Sequence, residues 1–186
     1  MSTNVDVQAA FQALRTAKAD FLAALRARGP EPVKDWSLTD ADGAPVQLSA
    51  LFGEHDDLLV VHNMGRGCSY CTLWADGFRG IADHLAQRCS FVLCSHDPPD
   101  VLRGFVAERG WNFRCVSGAG SGFTAAMGYA SPENTKPMPG VSSFQRRAGG
   151  EIVRIAHTPF GPGDDFCAVW PLFDLLADGA ADFKPR

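Results

Sequence analysis

The sequence predicts an α/β domain: a mixed central sheet flanked by helices, with an N-terminal helical extension. Three observations predict it. Short apolar segments of strand length alternate with helix-period segments between about residues 58 and 117. Two further strand-like segments, 141–146 and 151–157, flank Gly149-Gly150 as a hairpin would. The 186 residues are 46% hydrophobic and 20% charged, enough apolar material for one sizeable core.

Each element follows from its pattern. Val7, Phe11, Leu14, Phe21, Leu22 and Leu25 recur at helical spacing over 5–28, and Gly29-Pro30-Glu31-Pro32 stops that helix. One amphipathic helix makes no domain, so residues 1–32 are expected as an extension packed on the core. Residues 36–52 read as two short strands around Asp42-Gly43, then a helical turn. The run 58–64 lacks alternation, as a central strand buried on both faces does. A helix is expected over 68–87, with Leu73, Phe78, Ile81, Ala82 and Leu85 inward. A strand follows at 90–96, and Pro98-Pro99-Asp100 opens a helix to about Arg109. Residues 112–117 form a third strand, 118–122 a glycine-rich loop, and 123–128 a short helix. The proline-rich 131–140 is a loop, and 166–177 a last helix. The main domain is thus 33–178, with 179–186 a tail.

Net charge is −4, and no Lys/Arg cluster interleaves with aromatics, which argues against a nucleic-acid partner. No apolar run is long enough to span a bilayer. The polar start, Met1 to Asp6, lacks the pattern of a secretory signal, so a cytoplasmic location is expected. In that compartment six cysteines read as one redox or metal pair plus structural thiols.

The chemistry is concentrated at Gly67-Cys68-Ser69-Tyr70-Cys71, immediately after the apolar run Leu58-Leu59-Val60-Val61. A strand that feeds C-x-x-C into a helix N-terminus sets the first cysteine among unpaired N–H groups and a partial positive charge. Both favour the thiolate, which is the nucleophile. Cys71 can then attack the mixed disulfide and close the cycle. A redox dithiol is the leading reading, against two buried thiols or a metal site. Zinc would need two more ligands, for which Cys89, Cys94 and His96 are candidates. Thr72 after Cys71 rules against covalent haem, and the loop 118–122 lacks the full dinucleotide fingerprint. No cofactor is called for.

Several stretches carry a family likeness. Residues 36–51 fit F-x-L-x-D-x-D-G-x-x-V-x-L-x-x-L with Trp36 for Phe. Residues 51–64 fit L-F-G-x-x-x-x-L-x-V-x-H-x-M, and 67–78 fit G-C-x-x-C-x-x-x-x-D-x-F. G-W-x-F stands at 110–113 and P-G-V-S-x-F at 139–144, while 112–129 has the look of an F-x-x-x-S … yG region. The element order resembles the thioredoxin fold. The opening resembles its peroxiredoxin (AhpC/TSA) branch, and the whole pattern resembles a bacterial thioredoxin-like family of unknown function. The likeness covers most of 8–160 and departs at 166–178, FCAVWPLFDLLAD.

The resemblance implies a thiol–disulfide oxidoreductase, with Cys68 as nucleophile and Cys71 as resolving thiol. The alternatives are a peroxiredoxin-like thiol peroxidase and a non-catalytic binding module. Substrates would be a small thiol, disulfide or peroxide, or a protein disulfide; a homodimer is one assembly in play. The peroxiredoxin motif P-x-x-x-[TS]-x-x-C is missing: Val61 and Gly65 precede Cys68, and Met64 and Cys68 precede Cys71, at the diagnostic offsets. His62, six residues before Cys68, sits where thioredoxins carry an acid that moves the second cysteine's proton; it is either that relay or a core histidine. Met138-Pro139 stands where thioredoxins place a cis-proline facing the cysteines, with Pro137 as the competing position. Arg66 offers charge near the thiolate, and Trp74 either covers the dithiol or belongs to the core. Asp76 either pairs with Arg79 or Arg66 or lies on a solvated helix face. Cys115 is an alternative resolving thiol.

Overall fold

A computed structural model describes residues 6–130 and 136–186 of the chain. Residues 131–135 of the predicted proline-rich loop lie outside the described residues. Helix α1 (Val7–Ala27) is N-capped by Asp6, whose carboxylate accepts the Ala9 N–H at 3.0 Å. It ends at Gly29, whose φ of 77° suits glycine, and Pro30. It lies against β8, and none of its residues is buried.

Among the described residues eight strands form one sheet, in the order β1-β8-β7-β4-β5-β6-β2-β3. The strands are β1 (Glu31–Val33), β2 (Ser37–Asp40), β3 (Pro45–Gln47), β4 (Asp57–Asn63), β5 (Ser90–Ser95), β6 (Arg114–Ser117), β7 (Gly140–Arg146) and β8 (Ile152–Pro159). The central β4, β5 and β6 run parallel, and the rest pair antiparallel. The segment around Pro32, read as a helix stop, is the edge strand β1; proline lacks an N–H and is tolerated at an edge.

Helices α2 (Ser69–Phe78), α3 (Ala82–Ala86), α4 (Pro99–Arg109), α5 (Phe123–Ala126) and α6 (Val169–Phe173) complete the regular structure. The single helix expected over 68–87 is two, because the chain breaks at Gly80, and Ile81 is exposed. The predicted last helix is regular only over α6, with Pro171 in its first turn. Phe183 of the tail packs its ring on Phe173 and Trp170.

The sheet has a core on each side, which is why β4 reads as a continuous apolar run. Leu58, Val60, Val92 and Val116 face a cluster with Leu38, the 3₁₀ turn 48–52, Phe123 and Tyr129. Val61, Leu93 and Cys115 face the opposite cluster, with Trp74 and Phe78 of α2, Leu102 and Phe105 of α4, and Trp170. The central strands and α2 therefore hold the Cys68 loop between two packed layers. No helix among the described residues is long and apolar enough to cross a membrane.

Candidate functional site

The chain leaves β4 at Asn63 and turns through Met64–Gly67 into α2. Asn63 begins the turn: its Oδ1 accepts the Gly65 N–H at 2.7 Å, and its Nδ2 reaches the Cys71 carbonyl at 3.4 Å. Gly65 is required by its own backbone, since its φ is 102°. Its carbonyl accepts the Cys68 N–H at 3.1 Å, which closes the turn.

Cys68 is the N-cap of α2, with extended backbone, and its Sγ accepts the Cys71 N–H at 3.2 Å. A thiolate there meets a donor and the positive end of a helix. The thiol of Cys68 is pulled down from 9.0 to about 6, chiefly by a hydrogen bond from the Cys71 side chain. Partial burial opposes this, and the N–H groups of Cys71 and Tyr70 assist it. Cys71 moves the other way. Its thiol is pushed up by the bond it gives to Cys68 and by burial. The pair is thus an accessible, acidic thiol beside a buried, protonated one. The other thiols are held as ordinary buried thiols: burial pushes Cys94 and Cys115 up to about 12 and raises Cys167, and Cys115 bonds the Phe113 carbonyl. Cys89 donates to Leu85, and no group of three or more His, Cys, Asp or Glu among the described residues could hold a metal.

His62 is not brought to the thiols. Side chains alternate along β4, so His62 faces the layer opposite α2. It is fully buried, stacked on Tyr129 at 4.1 Å and bonded to Ser142 Oγ through Nε2 at 3.0 Å. Burial, then Arg154 and His157, pull it down to about 3, so it is neutral. Gly140, opposite His62, has no side chain because the Tyr129 ring occupies that space.

The expected cis-proline is corrected. The described residues contain no cis peptide bond, so Met138–Pro139 is trans. The Pro139 carbonyl accepts the Phe160 N–H at 3.0 Å and Met138 N–H donates to Tyr129 at 3.0 Å. Pro139 thus continues the β7–β8 pairing by one bond, and Met138 is tied to Tyr129 instead. The register, Gly140 opposite His62, still sets Met138 and Pro139 at the end of β4 from which the cysteine loop departs.

Arg66 is exposed, its guanidinium 5.9 Å from the Phe105 ring centroid. Trp74 is core, and its indole N–H donates to Asp164 at 3.2 Å. Asp76 pairs with neither Arg79 nor Arg66: its carboxylate is gripped by Nε and Nη2 of Arg109 and accepts the Trp111 indole N–H at 2.9 Å.

Sequence reasoning missed Asp97. This residue follows β5, and its Oδ2 accepts the Arg66 N–H at 2.7 Å and the Ser95 hydroxyl at 3.1 Å. The signal was available: polar Ser95-His96-Asp97 directly beyond the carboxyl end of a buried parallel strand, where α/β sheets gather their functional groups.

Solved structures resemble this architecture. The peroxidoxin BcpB of Mycobacterium tuberculosis is 26% identical, with a TM-score of 0.51 over 70% of this chain and 84% of that one. Peroxiredoxin Q of Xanthomonas campestris is 15% identical, with a TM-score of 0.56 over 66% and 78%. A hypothetical protein of Sinorhizobium meliloti is 19% identical, with a TM-score of 0.52 over 73% and 71%. No curated protein matches the sequence significantly. The fold is therefore thioredoxin-like with peroxiredoxins among its structural neighbours, as the resemblance implied. Residues 11–184 match the family described as "Bacterial protein of unknown function (DUF899)", and the chain belongs to that family.

Proposed function

We propose that this protein is a thiol-dependent oxidoreductase that cycles through Cys68 and Cys71. One observation carries the reading: Cys68 caps α2 as a low-pKa, partly exposed thiol, next to a buried Cys71 that keeps its proton. In disulfide exchange the Cys68 thiolate attacks one sulfur of a substrate disulfide, forming a mixed disulfide and releasing the other sulfur as a thiolate. Cys71 then gives up its proton and attacks Cys68 Sγ. The Cys68–Cys71 disulfide forms, the second substrate thiolate leaves, and two electrons have passed to the substrate.

A second reading, peroxide reduction, is favoured by the likeness to the Mycobacterium tuberculosis peroxidoxin. There the Cys68 thiolate takes the terminal oxygen of a hydroperoxide, becomes a sulfenic acid and releases the alcohol or water once the leaving oxygen is protonated. Cys71 condenses with the sulfenic acid and expels water. Both routes end on the same disulfide. The expected Pro-x-x-x-Thr peroxide cradle is missing here, so exchange ranks first.

The test is peptide-mapped alkylation of all six cysteines against pH, before and after one equivalent of hydrogen peroxide or of a model disulfide. Fast labelling of Cys68 at pH 6, lost together with Cys71 on oxidation, is expected. Cys68→Ser should lower reduction of the model disulfide by at least about 100-fold, and Cys71→Ser should accumulate the mixed disulfide by intact mass. Slow, oxidant-indifferent labelling of Cys68 would leave a binding module that has kept the fold without the thiol chemistry.

A further inference from the structure

We infer that Asp97 is a positioning residue for Cys68: its carboxylate anchors the turn that sets the sulfur at the helix N-terminus. This deepens the redox reading of the Cys68 site and rests on it. The carboxylate comes from a different strand end, yet it sits against the cysteine turn. Oδ2 takes the Arg66 N–H at 2.7 Å, two residues before Cys68. Oδ1 lies so close under Gly65 that a methyl group there would stand 2.6 Å from it. An ionised carboxylate makes stronger bonds to N–H donors than a neutral acceptor does.

Asp97 is itself held from behind. Its N–H donates to Ser95 Oγ at 3.1 Å, the Ser95 hydroxyl returns a bond to Oδ2, and its carbonyl accepts the Ser117 hydroxyl from β6 at 2.5 Å. The next link toward β4 is the His96 N–H on the Asn63 carbonyl at 3.1 Å. The ends of β4, β5 and β6 are thus tied together beneath one turn, whose two central residues are both held: Gly65 by Asn63, Arg66 by Asp97. The Cys68 N–H in turn bonds Gly65. Freeing Arg66 removes the bond that ties this turn to the end of β5, two residues before the capping sulfur.

A purely electrostatic role has the opposite sign. A nearby anion disfavours a thiolate, so neutralising Asp97 without loosening the turn would lower the Cys68 pKa. An anchor makes the thiolate more stable by geometry, so removing it raises that pKa. Cys71 is the titratable side chain that acts on the sulfur directly; Asp97 meets the turn through the Arg66 N–H, and the Arg66 guanidinium lies near the Phe105 ring.

The experiment compares Asp97→Ala, Asp97→Asn and Gly65→Ala with wild type in full-length reduced protein, with circular dichroism confirming folding. Rates of Cys68 alkylation are followed from pH 4 to 9, and hydrogen exchange is followed at the Arg66 amide. Asp97→Ala should slow labelling at pH 6 about fivefold, as a one-unit rise from a pKa near 6 does, and should speed exchange at Arg66. Asp97→Asn keeps a carbonyl acceptor and should restore both readings toward wild type. Gly65→Ala, which drives a methyl into the carboxylate, should act like Asp97→Ala. Unchanged or faster Cys68 labelling in Asp97→Ala, or unchanged Arg66 exchange, overturns the anchor. Should Asp97→Ala not fold, Gly65→Ala and Asp97→Asn decide by the same readings. Exchange at Arg66 reads the anchor even in Cys68→Ser, so failure of the redox reading and failure of this one are distinguishable.

Discussion

At the scale of single residues, the two histidine and cysteine positions that look coupled in sequence are separated by a sheet. His62 sits in the layer opposite α2, neutral, with its ring between Tyr129 and Phe123. Such a histidine links stability to acid. The unfolded chain takes a proton below about 6.5, whereas the folded chain refuses it down to about 3. Between those values the unfolded state binds more protons, so stability rises with pH and is fully present above the unfolded value. Urea unfolding should therefore show wild type losing about 2 kcal/mol between pH 7 and pH 5 through this residue. His62→Leu should lose correspondingly less over that interval, although its absolute stability is lower because Ser142 loses one of its partners. His157, also pulled down chiefly by burial, is present in both proteins, so the difference isolates His62. Equal pH slopes in the two proteins would mean that His62 is hydrated or charged in the fold. Closure of the Cys68–Cys71 disulfide in the same variant reads the sequence-level relay directly; a rate within about twofold of wild type keeps His62 out of the proton path.

At the scale of elements, what secures α2 is a cross-element carboxylate. Asp76 leaves the last turn of α2, grips Arg109 at the end of α4, and takes the Trp111 indole on the way into β6. The arginine stays protonated more firmly through that bond. The ion pair is only partly covered, with Asp76 28% exposed, so most of its value comes from the hydrogen bonds rather than from charge attraction. Asp76→Ala should cost about 2 kcal/mol in urea unfolding, since it leaves a half-buried guanidinium and an indole N–H without an acceptor. Trp111→Phe, which removes one of the three bonds, should cost less; a larger loss there would assign the energy to ring packing against Phe105 and Phe113. Asp76 also marks where sequence stops informing. The local sequence offers Arg79 and Arg66 as its partners, whereas the partner it has, Arg109, arrives from 33 residues further along the chain. Local patterns behave differently: the β4 run, the Asp42-Gly43 turn, the C-x-x-C helix start and the hairpin at Gly149-Gly150 are each set by neighbours in sequence, and each stands where the sequence predicted. The break at Gly80 was visible as a glycine but outweighed by the apolar period on either side. Asp97 stood in a visible polar run beyond β5, but its partner Arg66 comes from the turn after β4, a meeting that only the paired strands bring about.

At the scale of the whole molecule, α1 is the outlier. Its 21 residues rise through about 31 Å at the usual pitch. Its apolar stripe faces outward, with Val7 74% and Leu14 65% exposed. Attachment to the rest of the protein is thin. Lys18 pairs with Asp165 at 2.9 Å between two exposed side chains, Arg28 touches His157 at 3.4 Å, and a cleft of about 480 Å³ separates Phe21 and Leu22 from Pro159 and Phe166. Exposed ion pairs contribute about 0–1 kcal/mol, and a helix without a buried face draws little stability from its surroundings. Two measurements follow from this. Backbone amides in the middle of α1 should exchange with solvent orders of magnitude faster than those of β4, whose residues are tied on both sides by β5 and β7. Deleting residues 1–28 should leave the free energy of unfolding within about 1 kcal/mol, because β1 remains to cover the edge of β8. A stripe of this kind is also large enough to matter for association, so both measurements belong at two protein concentrations. Protection of α1 that rises with concentration, together with a concentration-dependent loss of stability on deletion, would place the stripe inside a homodimer. Fast exchange and a concentration-independent, near-neutral deletion would make α1 an appendage on a core that stands without it. The second outcome is the one expected, because no residue of the helix is buried.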